Sequence, residues 1–118
     1  MARYVDGFLL AIPKKKLAAY RAIAKRGAKV WRDHGALEYR ECVGDELKLP
    51  WGVSFIKVIK AKPSETVVFS WIVYKSKKDR NRVNAKVMKD PRIKMDMKEM
   101  PFDMKRMAVG GFEVLVEG

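Results

Sequence analysis

Two carboxylates stand within otherwise apolar, strand-like stretches of this 118-residue chain: Asp6 in Tyr4 to Ile12, and Glu41 in Ala36 to Gly44. A charge among residues that pack into a core must be paired, hydrogen-bonded or neutralised. Asp6 and Glu41 are therefore candidate general bases, because a desolvated carboxylate gains the proton affinity that proton abstraction needs. The same pattern equally describes a structural ion pair, with Arg40, Arg92 or Arg106 as the counter-charge. Either way, both carboxylates are expected to be buried and paired with a basic or amide donor.

Other reactive side chains are few. His34, the single histidine, precedes Gly35 and suits the carbonyl end of a helix dipole. With one histidine and one cysteine, Cys42, neither a zinc site nor an intrachain disulfide can be assembled. Methionines at 88, 95, 97, 100, 104 and 107 include the copper-like run Met95-Asp96-Met97, but methionine commonly fills irregular gaps in a core. No metal site and no cofactor are expected. Phosphate-cradling GxxxxGK[ST] and GxGxxG runs do not occur.

The elements that must position these residues follow from periodicity. Tyr4 to Ile12 is apolar on both parities and reads as a strand buried on both sides. From about Pro13 to His34, Leu17, Tyr20, Ile23, Ala24, Gly27, Val30 and Trp31 recur at helical spacing, and Gly35 supplies a left-handed cap. Ala36 to Gly44 reads as a strand, Leu47 to Gly52 interrupts it, and Val53 to Ala61 resumes the β pattern as one bent strand or two. After the turn Lys62 to Glu65, Thr66 to Tyr74 is the clearest strand. Ser76 and Asp79 form a capping box for a helix striped by Val83 and Val87; Asp90-Pro91 opens a short helix with Ile93, Met97 and Met100 inward. Lys105 to Glu117 closes the chain as a strand, where Gly110-Gly111 implies a bulge or a close backbone approach.

The order β, α, β, β, α, β predicts one α+β domain over residues 1–118: a ferredoxin-like βαββαβ sandwich with an antiparallel sheet and both helices on one face. Helices cover only one sheet face. Val67, Phe69, Trp71 and Val73 lie opposite Val68, Ile72 and Tyr74, with Ser70 alone breaking the second row, so the other face must be covered by something else. A second copy of the chain, making a homodimer through about 800 Å² or more per subunit, is the expected cover.

The stretches Tyr4-Val5-Asp6-Gly7-Phe8, Val67-Val68-Phe69-Ser70-Trp71-Ile72, Asp90-Pro91-Arg92, Met100-Pro101-Phe102-Asp103, Lys105-Arg106-Met107 and Gly110-Gly111-Phe112-Glu113 resemble the bacterial YbaA-like family, domain of unknown function family 1428. The resemblance spans nearly the whole chain. It implies the dimeric α+β barrel superfamily, in which two ferredoxin-like sheets pack face to face, and it implies no known reaction.

These readings predict a homodimer that binds a small organic ligand between sheet and helices, with Ser70, Trp71, Arg92 and Arg106 as candidate ligand contacts. One rival is a cofactor-independent enzyme, of monooxygenase or isomerase type, using Asp6 or Glu41. No apolar run approaches the length of a membrane span, no secretory signal pattern is visible, and the lone cysteine suits a reducing cytoplasm, so no membrane partner is expected. The other rival is a basic nucleic-acid-binding module, because 26 Lys plus Arg against 14 Asp plus Glu give a net charge of +12, concentrated in the two helical segments. Thr66 to Tyr74 lacks the basic residue and glycines that RNA-recognition strands place among their aromatics. Nucleic-acid binding should therefore be weak and sequence-insensitive. For about six phosphate contacts it should fall about a thousandfold between about 50 and about 200 mM salt. Binding isotherms on unrelated duplexes check this, and selective binding that survives physiological salt would refute it.

Overall fold

The computed structural model describes residues 2–93 and 100–118. Strand β1 (Tyr4–Pro13) leads through a 3-10 turn at Lys14–Lys16 into α1 (Leu17–Asp33), followed by β2 (Glu38–Val43), α2 (Phe55–Ile59), β3 (Glu65–Tyr74) and α3 (Lys77–Lys89). Two further 3-10 turns, Pro91–Ile93 and Met104–Arg106, precede β4 (Ala108–Glu113). The strands form a four-stranded antiparallel sheet in the order β2-β3-β1-β4.

The centre of the sheet is the β1–β3 ladder, which runs unbroken from Tyr4 opposite Tyr74 to Pro13 opposite Glu65. On one face, Ile72 and Tyr74 pack against Val30 of α1 and against Val83 and Val87 of α3. Leu10, Ile12 and Val68 continue that face under Tyr20. Pro13 ends β1 immediately before the helical turns; α1 closes at His34, beyond which Gly35 takes φ +118°. Ser76 accepts from the Asp79 amide at 3.1 Å, whereas the Asp79 carboxylate turns to Arg82, so only half of the expected capping box forms.

The stretch Val53 to Ala61 does not resume a strand but holds the helix α2 (Phe55–Ile59). Its apolar residues satisfy either period, and local capping decides between them: the Ser54 hydroxyl accepts from the Ile56 amide at 3.2 Å, and Lys60 closes the turn at φ 55°, ψ 46°. Ile56 and Ile59, three apart, then land on Leu9, Ala11 and Val67. Thus α2 lies on the face of the sheet opposite α1 and α3, and covers one end of it. The remainder of that face, with Phe69, Trp71, Val73, Val5 and Phe112, stays open; Phe69 is 45% and Phe112 61% exposed.

The final strand is shorter than its pattern, because Asp103 caps a 3-10 turn at Lys105 and Arg106 leaves the sheet. The β1–β4 register runs without interruption through Gly110 and Gly111, so these glycines mark a close approach rather than a bulge. A Cβ at Gly111 would sit 2.8 Å from Arg80 Nη2, and one at Gly110 would meet the Phe112 ring at 3.4 Å. Met97 falls outside the described residues, while Ile93 and Met100 turn inward.

Arg106 grips the first residue of β3. Its Nη1 and Nη2 donate to Glu65 at 2.7 and 3.0 Å, and Nη2 also donates to the Lys60 carbonyl at 2.9 Å. The guanidinium holds the Glu65 carboxyl down at about 2, below its ordinary value of 4.5. As pH falls, the unfolded chain takes up this proton before the folded one does. The pair's stabilisation is therefore complete above about 4.5 and is lost as pH falls toward about 2. Asp90, held well below the usual carboxylate range by Arg92, acts in the same direction. Thermal melts from pH 7 to pH 2.5 should show Glu65→Gln less stable than wild type at pH 7, with a shallower loss below pH 4.5. Parallel pH profiles for the two proteins would contradict the assignment.

Candidate functional site

A cavity of about 420 Å³ opens between α1 and the helix-facing side of the sheet. Its origin is a coincidence of small residues. Along α1, the inward stripe Tyr20, Ile23, Ala24, Gly27 and Trp31 is bulky at its ends and small in the middle. Beneath it, Ser70 replaces a large apolar residue between Val68 and Ile72 on β3. Where small faces small, no side chain fills the layer. Phe8 and Leu10 of β1, Ile72 of β3 and Phe102 complete apolar walls, and Tyr20 meets Phe102 edge-on at 5.5 Å.

Among the described residues Glu41 is the acidic group that lines the cavity. It sits on β2 directly across from Ser70 on the same sheet face, and is half-buried. Among the described residues it has no ion-pair partner. Instead two phenols serve it: Tyr20 donates to Oε1 from α1, and Tyr39, two residues earlier on β2, donates to Oε2 at 2.7 Å. Burial, followed by the hydrogen bond to Glu41 and its charge, pushes the Tyr20 phenol far up. Tyr39 rises for the same reasons, burial first and the charge of Glu41 next. Both phenols stay protonated across the physiological range and remain donors. Gly27 makes room for this pairing, since a Cβ there would lie 3.1 Å from the Tyr39 hydroxyl.

Asp6 lies on the same sheet face but outside the cavity, 8% exposed under α3. Arg80 Nε approaches Oδ1 at 3.5 Å and the Asn84 amide donates to Oδ2 at 3.4 Å. Asn84 Oδ1 in turn accepts from Trp31 Nε1 at 3.0 Å and from the Tyr74 hydroxyl at 3.1 Å. Arg80 also donates to the Tyr4 hydroxyl at 3.0 Å and lies over that ring. The expected partners Arg40, Arg92 and Arg106 serve other acids: Glu38, the pair Asp33 and Asp90, and Glu65, respectively.

Of the four candidate ligand contacts, Ser70 alone lines the cavity. Trp71, one residue on, faces the opposite side of the sheet, because successive strand residues alternate. Arg92 clasps the end of α1 to the segment after α3, where His34 Nε2 also meets Asp90 at 2.8 Å, and Arg106 is engaged with Glu65. Met88, Met100, Met104 and Met107 line the cavity as gap-filling thioethers; Met95 and Met97 fall outside the described residues. Among the described residues, no three His, Cys, Asp or Glu side chains cluster as a metal site would require, and no helix is long and apolar enough to cross a membrane.

Sequence reasoning passed over Tyr20, Tyr39, Arg80 and Asn84. Tyr39 was accessible to it, because residues two apart on a strand share a face, and this phenol and Glu41 are such a pair. Tyr20 was visible in the helical stripe, but only as an apolar position.

An α+β sheet with a half-buried carboxylate in a sheet–helix cavity defines the structural class. The profile of the family described as Protein of unknown function (DUF1428) matches residues 3–104, and the chain belongs to this family. It is 44% identical over 115 residues to the uncharacterised protein YbaA of Escherichia coli strain K12, covering 98% of both chains, and equally so to YbaA of Shigella flexneri. Among solved structures, a NIPSNAP family protein of unknown function from Agrobacterium tumefaciens strain C58 is similar in fold, with a TM-score of 0.55 at 11% identity. That match covers 96% of this chain and 88% of the other.

Replacing both phenols, Tyr20→Phe with Tyr39→Phe, leaves Glu41 without either donor and should destabilise the protein by about 2–4 kcal/mol. Adding Glu41→Leu should recover part of that loss, because the unpaired charge disappears. Chemical denaturation of the single, double and triple variants checks this; losses that add independently of residue 41 would show that the carboxylate does not bind the phenols together.

Proposed function

We propose that this protein is a cytoplasmic, single-domain homodimer that binds a small organic molecule in the cavity between α1 and the sheet. The observation that carries this reading is the cavity itself. Its volume of about 420 Å³ suits a drug-sized molecule, and apolar walls surround a few convergent polar groups, Glu41, Ser70, Tyr20 and Tyr39. The strand order β2-β3-β1-β4 supports a ferredoxin-like sandwich, and the open apolar face supports pairing of two sheets as a dimeric α+β barrel. Phe55, Phe69 and Trp71 form a continuous aromatic row there, with centroids 5.9 and 5.6 Å apart, next to Phe112 and Val5. An exposed patch of this kind calls for a cover, and a second copy buries it symmetrically.

A second reading is a cofactor-independent enzyme of monooxygenase or isomerase type. The position of Glu41 inside the cavity favours it, and makes Glu41 rather than Asp6 the base.

The two faces of β3 are tested together. Light scattering should give twice the 13.6 kDa chain mass. Phe69→Asp or Trp71→Asp should yield folded monomers, whereas Ile72→Asp, which strikes the helix-side core, should unfold the chain. The neutral fluorophore N-phenyl-1-naphthylamine should bind once per subunit, and Ala24→Leu, which fills the cavity, should weaken it about tenfold or more. A monomeric wild type would defeat the assembly; binding indifferent to Ala24→Leu would defeat the cavity.

A further inference from the structure

We infer that the ligand of the sheet–helix cavity is an apolar organic amine whose ammonium docks on Glu41. This inference rests on the ligand-binding reading above and adds the chemistry of the head group.

The cavity's hydrogen-bonding groups are unequally committed. The phenol protons of Tyr20 and Tyr39 are given to Glu41, one to each oxygen, and the Trp31 N–H is given to Asn84. What remains is acceptor capacity. Each carboxylate oxygen has a further lone-pair site, and each phenol oxygen that has donated its proton can still accept. Ser70, across the strand from Glu41, adds one hydroxyl that donates or accepts. A ligand whose head only accepts therefore meets few donors.

Charge sharpens this preference. The chain carries 26 Lys plus Arg, yet none of them, nor His34, lines the cavity among the described residues. Among the described residues the basic side chains stand outside the cavity lining, and Glu41 is held by the neutral donors Tyr20 and Tyr39. A carboxylate or phosphate entering the cavity would lose its water and face Glu41, with no compensating cation among the described lining residues. An ammonium meets the opposite situation: an ion pair inside apolar walls, with the rings of Tyr20, Trp31, Tyr39 and Phe102 to receive the remaining positive face. The apolar volume accommodates the hydrocarbon part.

Three matched probes test this at about 150 mM salt and pH 7: 1-naphthylmethylamine, 1-methylnaphthalene and 1-naphthylacetate, titrated by calorimetry. The overall charge of +12 attracts the acid and repels the amine, so the cavity's preference is read against the protein's own field. The amine should bind about tenfold or more tighter than methylnaphthalene, and the acid more weakly than either. Glu41→Gln, whose amide carbonyl can still accept from a tyrosine, should erase the amine's advantage and leave methylnaphthalene within about twofold. Equal binding of the three probes, or tightest binding of the acid, would overturn the head-group inference while the cavity reading stands. An amine advantage that persists in Glu41→Gln would overturn docking on Glu41. Failure of every probe to bind up to its solubility limit would overturn the cavity reading itself, and this inference with it. The wild-type ranking needs no variant and decides the matter even where Glu41→Gln does not fold.

Discussion

Pairing of β1 with β3 is the constraint on which the rest of the structure depends. Both strands carry apolar side chains on both parities, and their ladder occupies the middle of the sheet from Tyr4–Tyr74 to Pro13–Glu65. A pair of this kind must be sheltered on two sides. The helices α1 and α3 shelter one, through Val30, Val83 and Val87, and a one-residue slip of β3 would turn Ile72 and Tyr74 away from that core. The short α2 shelters one end of the other side through Ile59. What it leaves open, from Phe69 to Phe112, is a consequence of the same two-sided pattern.

The helix-facing side of this sheet carries two acids with opposite surroundings. Asp6 meets a guanidinium and an amide, in a network that runs from Tyr4 through Arg80 and Asn84 to Trp31 and Tyr74. Its charge is compensated, and α3 is held to the sheet by it. Glu41 has hydrogen bonds from two phenols and, among the described residues, no ion-pair partner, and it opens onto a cavity. Two carboxylates that look alike along the chain thus differ in net local charge, which is what separates a structural group from one with capacity to spare. Gly27 belongs to this arrangement: in mid-helix it costs on the order of 0.5–1 kcal/mol relative to alanine, and its missing side chain is where the Tyr39 hydroxyl lies.

The strands and long helices were legible because their segments are long: β1 and β3 lie where continuous apolar runs rich in β-branched and aromatic residues place them, and α1 and α3 where helical spacing does. Val53 to Ala61 was misread because a short apolar run fits both periods, and the deciding interactions, the Ser54 cap and the left-handed Lys60, are single-residue events. The two acids, buried Asp6 and half-buried Glu41, were legible as exceptions within apolar strands. Their partners were not, since Arg80 and Tyr20 are brought to Asp6 and Glu41 by the packing of helices on the sheet, across 74 and 21 positions of chain. Candidate contacts chosen within a stretch fared worst. Ser70 and Trp71 are neighbours in sequence and stand on opposite faces of β3.

That alternation along β3 ties the two surfaces of the protein together. Phe69 and Trp71 face the open apolar surface while Ser70 and Ile72 floor the cavity, so one strand presents its even residues to one site and its odd residues to the other. β3 is held in the ladder on both sides, by β1 and by the edge strand β2, and the close-packed residues on its two faces constrain it further. β2 repeats the arrangement, with Tyr39 and Glu41 turned to the cavity and Arg40 and Cys42 to the other face. A contact made at Trp71 would therefore act on the β3 backbone, which pairs with the β2 strand that carries Glu41. The geometry of the acid and its phenols is set by how β2 and β3 lie against α1, and any contact that shifts these strands reaches the cavity through the sheet.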